Sequence, residues 1–274
     1  MKKLLTMILI FTMVFTLTAC AEKEPEKVID VTSMGTSDLT VAEAKAMYDE
    51  AAKNILELTS MDVTSITNIR MNQGTNEIGA KFNLNIKVSD MNKESMKYAA
   101  MGIIQTEGEE LETSIYYENG YCYLNYLGGK VRYAGDITTI METMKTGTQG
   151  TGLDSSYMKD ITIKKDGDNE IITYKVYVQK MDSYVHKMMR ELGYDLDGTN
   201  YSIKEVKGEA TINKAGYITR SKMNLTLRIK KWREMSLFTF DTDITYNNPG
   251  QAVEVIIPDL EGYEEVDPST LGIQ

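Results

Sequence analysis

The stretch Ile78-Gly-Ala-Lys-Phe-Asn-Leu-Asn-Ile-Lys-Val88 decides the fold of this 274-residue chain. From Lys81 to Val88 every polar side chain is followed by an apolar one. Successive side chains of a β-strand point to opposite faces, so this alternation predicts a strand with one buried and one solvated face. Such a strand requires an apolar partner on one side only.

Similar runs continue on both sides of this stretch, separated by short turns. Asn119-Gly120 is the dipeptide that a two-residue hairpin turn prefers. Hairpin spacing makes neighbouring strands antiparallel. About ten or eleven strands are predicted, and so wide a sheet is expected to curl. The predicted strands cover residues 63–71, 78–88, 95–106, 111–118, 121–126, 161–164, 171–178, 204–212, 217–230, 234–246 and 252–257.

Three amphipathic helices are predicted among the strands. The first covers residues 40–61, where Thr40 and Glu43 form a capping box and apolar residues recur at helical spacing. The second covers residues 136–145 and the third residues 181–192. The fold class is therefore α+β, with one large curved antiparallel sheet and three helices covering its concave face.

The N-terminus has the organisation of a secretory signal peptide. Lys2 and Lys3 precede an apolar run over residues 4–17, and the small pair Thr18-Ala19 leads to Cys20. That run is too short to span a bilayer comfortably. Residues 1–19 are predicted to be the signal peptide, and residues 20–39 the modified cysteine with a flexible, Glu-rich tether.

The run Leu17-Thr-Ala-Cys20 resembles the lipobox of bacterial lipoproteins. That resemblance implies cleavage before Cys20 and transfer of a diacylglyceryl group to its sulfur, followed by further acylation of the palmitate type. Two or more acyl chains anchor a protein stably to a membrane. The expected location is extracytoplasmic and lipid-anchored to the cell membrane, and the sequence leaves open which membrane this is.

The charge of the chain bears on which partners it can bind. The formal net charge is −10, so nucleic acid is not an expected partner. Arg228, Lys230, Lys231 and Arg233 surround Trp232 in the longest basic run. We interpret this run either as a solvated strand end and turn or as a basic edge for a membrane or an acidic partner.

No catalytic or metal-binding constellation is visible, so neither enzyme activity nor a cofactor is expected. Cys122 lies in a strand-like run and is predicted to be a buried structural thiol. His186 is the single histidine and is predicted to be solvated, and it cannot form an ordinary zinc site alone. An EF-hand loop that starts at Asp166 would need Gly at position 171 and Glu at position 177, but the chain has Ile171 and Tyr177. Residues 166–170 are therefore interpreted as a hairpin turn.

The element order resembles that of the LolA and LppX superfamily of lipoproteins, in its uncharacterised Gram-positive branch. The resemblance covers residues 40–258 and includes the stretches at 212–218, 243–250 and 255–258. It implies a half-open β-barrel whose hollow, lidded by helices, holds acyl chains or lipidated partners. Residues 40–274 are thus predicted to form one LolA/LppX-like domain.

Methionine-rich helices suit a hollow that adapts to variable apolar ligands. A filled core would need the same apolar faces, so a surface lipoprotein acting as a protein-interaction or sensory module stays open as the alternative. The residues predicted to contact a lipid or lipoprotein ligand are Met47, Ile55, Met141, Met144, Met181 and Met188 on the helices, and Phe82 and Phe240 on the sheet.

Overall fold

The computed structural model describes residues 35–73, 76–91, 93–106, 108–126, 128–135, 153–191, 194, 196–231 and 234–271. At residues 73, 76, 126, 191, 231 and 234 only the backbone is described. The predicted signal peptide, Cys20 and the second predicted helix, with Met141 and Met144, lie outside these residues.

Two α-helices occur in the described part of the chain. Helix α1 is Val41–Leu56, and its capping box is confirmed, since the Thr40 hydroxyl accepts from the Glu43 amide and the Glu43 carboxylate accepts from the Thr40 amide. The sequence placed Met61 in this helix, which was wrong. Met61 pairs with Val88 as the first residue of a strand, and the helix ends five residues earlier. Helix α2 is Asp182–Glu191, close to its predicted bounds.

Thirteen strands are found in the described residues, which corrects the predicted ten or eleven. Strands β1 and β13 have only two residues each, too few to show alternation, and β7 was overlooked although Lys130-Val-Arg-Tyr133 alternates. The strands are β1 Gly35–Thr36, β2 Met61–Gln73, β3 Asn76–Ser89, β4 Lys97–Thr106, β5 Glu109–Glu118, β6 Tyr121–Tyr126, β7 Gly129–Ala134, β8 Met158–Asp166, β9 Asn169–Val176, β10 Asn200–Ile212, β11 Ile218–Lys231, β12 Glu234–Tyr246 and β13 Glu264–Glu265.

These strands form a single open, curved sheet in the order β1-β8-β9-β10-β11-β12-β2-β3-β4-β5-β6-β7-β13. Its two edges, β1 and β13, do not pair with each other, so the sheet is not a closed barrel. Strands β2 to β7 form one antiparallel meander and β8 to β12 a second. The pairing of β12 with β2, from Ser236 opposite Gln73 to Tyr246 opposite Val63, joins the two meanders.

The predicted turns are confirmed where the structure describes them. Asn119 and Gly120 both have positive φ, at 52° and 81°, as a type I′ hairpin turn requires. Gly167 lies in the tight turn between β8 and β9, so residues 166–170 form a hairpin as predicted. These local signals fix the register of each hairpin.

The two faces of the sheet differ sharply in chemistry. The face toward the helices is apolar and buried, and Phe82, Leu84 and Phe240 all point to that side. The opposite face, called the outer face below, carries cross-strand ion pairs such as Arg220 with Asp243 and Lys222 with Glu209. The core of the protein therefore lies on the concave side.

Residues 252–257, predicted as a strand, form no ladder, and that prediction was wrong. β12 already pairs with β11 and β2, so it has no free edge for a following hairpin. The segment instead crosses the outer face, where Val255 packs against Ala99 and Tyr116. Further on, β13 pairs in parallel with the free edge of β7.

Candidate functional site: the apolar interior under the helices

The interior between the sheet and the helices is one continuous apolar cluster. Phe240, Leu225 and Ile104 on the sheet are completely buried, as are Met181 and Met189 beside and on α2. Eight described methionines belong to this cluster, each at most 5% exposed. They are Met61, Met91, Met96, Met158, Met181, Met188, Met189 and Met223.

Helix α1 is fixed over the sheet by its polar side chains. The Asp49 carboxylate accepts from the Ser155 amide at 3.1 Å and from the Ser155 hydroxyl at 2.6 Å. Asn54 donates to the carbonyl of Gly216 at 2.9 Å, and Lys45 donates to that of Met158 at 3.2 Å. These hydrogen bonds attach the helix to residues 155–158 and to the turn between β10 and β11.

Buried tyrosines give the interior an amphipathic character. The ring of Tyr48 on α1 meets that of Tyr174 on β9 edge to face, with centroids 5.8 Å apart. Tyr174 in turn lies over Gly208 on β10, where a Cβ would approach the ring to 2.2 Å. Burial, followed by the neighbouring Tyr48, raises the pKa of Tyr246 above its usual range, so its hydroxyl is neutral.

Helix α2 is held in a different way from α1. Its apolar side presents Val185, Met188 and Met189 to the core. Its polar side carries His186, which is 27% exposed, with Nδ1 3.5 Å from an Asp197 carboxylate oxygen. Tyr201 on β10 donates to Asp182 and packs edge to face on His186. The sequence predicted a solvated histidine, whereas in the structure His186 is partly buried and contacts Asp197 and Tyr201.

The apolar side of the sheet is less completely covered at one end. Met71, Ile203 and Ile229 face the concave side but are only partly buried, and Ile78 is 47% exposed. Ile78 lies directly opposite Met71 in the ladder. These four residues, called the mouth below, lie near the tips of the β2–β3 and β11–β12 hairpins and near the start of β10. Farther along the same strands, Ile69, Phe82 and Leu227 on this side of the sheet are buried.

Cys122 is buried, as predicted. Burial raises the pKa of its thiol to about 11, and a hydrogen bond with Tyr133 opposes that shift. A thiol with this pKa stays protonated near neutral pH, whereas the reactive form is the thiolate. The pair belongs to the core under β6 and β7.

The structure brings six of the eight predicted ligand-binding residues to this interior. Ile55, Met181, Met188, Phe82 and Phe240 are buried in the cluster, and Met47 packs against it. The predicted Met141 and Met144 are outside the described residues. The period-two pattern of β9 made Tyr174 a candidate for the sheet side of the hollow, and it is buried there, whereas the buried Tyr246 was missed.

Two further properties concern the described part of the chain only. None of its helices combines the length and the apolar character needed to cross a bilayer. Within the same residues, no three His, Cys, Asp or Glu side chains are grouped so that they could hold a metal ion.

Comparison with known proteins identifies a family. The sequence matches the model of DUF6612, a family of unknown function, over residues 43–260. No curated protein matches it.

Similar solved structures are more distant. LprF from Mycobacterium bovis is 17% identical with a TM-score of 0.43, covering 81% of this chain and 98% of that chain. A DUF1329 family protein from Desulfovibrio piger is 14% identical with a TM-score of 0.26, covering 76% and 94%. The ywiB protein from Bacillus subtilis is 8% identical with a TM-score of 0.18, covering 68% and 93%. All three TM-scores lie below 0.5, so these likenesses carry no functional argument.

Proposed function

We propose that this chain, which belongs to the DUF6612 family of unknown function, is a membrane-anchored extracytoplasmic lipoprotein that binds the acyl chain of a lipid or another apolar ligand. The ligand enters through the mouth and lies between the concave face of the sheet and α2. The proposal includes no catalytic step. It also includes membership of the LolA and LppX superfamily, in its Gram-positive branch.

The exposed apolar mouth is the observation that carries this proposal. Leaving apolar surface in water costs about 25 cal/mol per Å². Four large apolar side chains nevertheless converge where the interior reaches the surface, and Ile78 is 47% exposed. A ligand chain entering at this end would cover them and continue along residues already apolar.

Helix α2 is suited to move aside for a ligand. Each exposed ion pair on its polar side contributes only about 0–1 kcal/mol. Its attachment therefore depends on the buried side chains Val185, Met188 and Met189, each contributing about 1.5–3 kcal/mol. An acyl chain offers these side chains equivalent apolar contacts, and methionine adapts its shape to them.

Photo-methionine in the full-length chain tests the site directly. The probes are a long-chain fatty acid and phosphatidylglycerol, and adducts are mapped by peptide mass spectrometry after illumination. We expect adducts at Met181, Met188 and Met189. Met101 and Met235 on the outer face, 47% and 49% exposed, serve as internal controls. Adducts restricted to those two controls would contradict an interior site.

A substitution at the mouth provides the second test. Ile78→Ser is expected to weaken fatty-acid binding several-fold because it removes apolar contact from the entrance. Ile256→Ser is the matched control, since Ile256 is 75% exposed on the segment that crosses the outer face. Equal affinities for the two variants would argue against entry at the mouth.

Membrane anchoring is tested separately. Cys20→Ser is expected to shift the full-length protein from the membrane to the soluble extracytoplasmic fraction. Membrane retention of the unlipidated variant would overturn the anchor.

One observation favours the alternative of a protein-interaction module with a filled core. The side chains in the middle of the interior are almost completely buried, and the outer face exposes Met101 and Ile256. In that case neither lipid probe would label the interior, and Ile256→Ser would weaken capture of a protein partner.

A further inference from the structure

The outer face of the sheet carries an open recess of about 410 Å³, on the side away from the helices. Strands β12, β2, β3 and β4 form its floor. Five of its polar side chains point to the outer face, namely Asn68, Arg70, Lys81, Gln105 and Asp241, and Thr106 at the end of β4 also lines it.

The register of the sheet places these side chains in a row. Asp241 lies opposite Asn68, Asn68 opposite Lys81, and Lys81 opposite Gln105. In the next row Arg70 lies opposite Gly79. Gly79 has no side chain to fill the outer face there, and a Cβ would lie 3.1 Å from the carbonyl oxygen of Ile69. The missing side chain leaves room between the two cations.

The recess contains the cations Arg70 and Lys81 and the carboxylate Asp241, and the Gln105 amide donates to the Glu110 carboxylate at 3.0 Å. Arg70 Nη2 lies 3.2 Å from an Asp241 carboxylate oxygen, and Asn224 also donates to that carboxylate. The remaining guanidinium donors of Arg70 are available, since that bond uses one nitrogen. Among the residues that the structure describes, Lys81 has no acidic partner, and its cross-strand neighbours are the amides of Asn68 and Gln105.

We propose that this recess binds a phosphate group carried on a hydroxylated carbon chain, with glycerol phosphate as the simplest representative. Arg70 and Lys81 bind the phosphate oxygens through charge-assisted hydrogen bonds. The Asn68 amide and the Gln105 carbonyl bond the hydroxyls, since an amide can both donate and accept. The volume lies within the range of small-molecule sites.

Two sources share this chemistry, namely soluble glycerol phosphate and the head group of phosphatidylglycerol. Leu237 and Met235 are exposed on the same outer face, where Leu237 is opposite Asn72 on β2. Apolar side chains at this position would contact a bilayer if the head group belongs to a membrane. The site lies on the opposite face of the sheet from the interior, so it is independent of the proposed acyl-chain site.

The test uses the full chain with Cys20→Ser, titrated with sn-glycerol 3-phosphate by calorimetry and sedimented with vesicles of phosphatidylglycerol or phosphatidylcholine. Lys81→Gln removes the unpaired cation. Lys214→Gln is the matched control, because Lys214 is an exposed lysine in the turn at the other end of the sheet. Thermal unfolding verifies that both variants are folded.

Lys81→Gln is expected to weaken binding about tenfold, as for the loss of one charge-assisted hydrogen bond, while Lys214→Gln leaves it unchanged. Lys81-dependent binding of the soluble phosphate assigns a soluble ligand. Lys81-dependent binding confined to phosphatidylglycerol vesicles assigns a lipid head group. The proposal is overturned if neither probe binds, or if both lysine variants weaken binding equally.

Discussion

The substitution Gly208→Ala tests the packing of the interior, because the ring of Tyr174 occupies the space that a side chain at position 208 would need. A Cβ at position 208 would lie 2.2 Å from Cζ and 2.4 Å from the hydroxyl oxygen of Tyr174. Tyr174 cannot retreat freely, since it is buried and in edge-to-face contact with Tyr48. We therefore expect Gly208→Ala to force both rings and β10 apart.

The expected loss of folding stability can be estimated from these distances. Overpacking a core costs about 1–3 kcal/mol, and an overlap of this size belongs at the upper end. Alanine is more favourable than glycine within a strand by about 0.5–1 kcal/mol, which offsets part of this loss of stability. A net loss of about 2 kcal/mol corresponds to a fall in Tm of about 4–8 °C for a domain of this size.

Thermal and urea unfolding, followed by circular dichroism, measure this loss. Gly79→Ala is the matched strand variant, since its Cβ would meet its nearest neighbour at 3.1 Å, and it should cost under about 1 kcal/mol. In a Tyr174→Leu background the added methyl has room, so Gly208→Ala should become nearly neutral. The reasoning is refuted if the two alanine variants cost the same, or if Tyr174→Leu leaves the cost of Gly208→Ala unchanged.

Three further predictions concern the core thiol and the two helices. Burial raises the pKa of Cys122 from 9.0 to about 11 in the folded state. The stability that the neutral thiol contributes is therefore complete below pH 9 and lost as pH rises to 11. Urea unfolding at several pH values across that window should show this decrease in stability, and the decrease should be smaller in Cys122→Ala. Asp49→Ala removes two hydrogen bonds that fix α1 and should lower the free energy of unfolding by about 1–3 kcal/mol. The control Glu50→Ala, at an exposed neighbouring residue, should change the free energy of unfolding by under about 0.5 kcal/mol. Equal effects of the two variants would contradict the role of Asp49 in fixing α1. His186→Ala, or Asp197→Asn, should accelerate amide hydrogen exchange within α2 with little change in Tm, and unchanged exchange would show that these contacts do not restrain the helix.

The meanders, the turns and the apolar faces could be predicted because their signals are local. The alternation in β3 and the Asn119-Gly120 turn each specify structure over a few residues. Alternation separates two faces of a strand but does not tell which one is inside. Here the helices decide it, since they cover the side that carries Phe82 and Phe240.

Long-range pairing could not be predicted from the same signals. Nothing in residues 252–257 differs from a strand, yet β12 has no free edge to receive them. The recess on the outer face was equally hidden, because Asp241 lies 160 residues after Lys81 and joins the Arg70 and Lys81 hairpin only through the pairing of β12 with β2.

The pairing of β2 with β12 sets an order of events for folding. Val63 and Tyr246 face each other across that ladder but are separated by 183 residues along the chain. Contacts so distant in sequence form slowly, since a long loop must close first. The two halves of the sheet therefore cannot join until nearly the whole chain has emerged. If the chain is exported as an extended polypeptide, as the proposed function requires, this delay means that the sheet is completed only after translocation and cannot obstruct it.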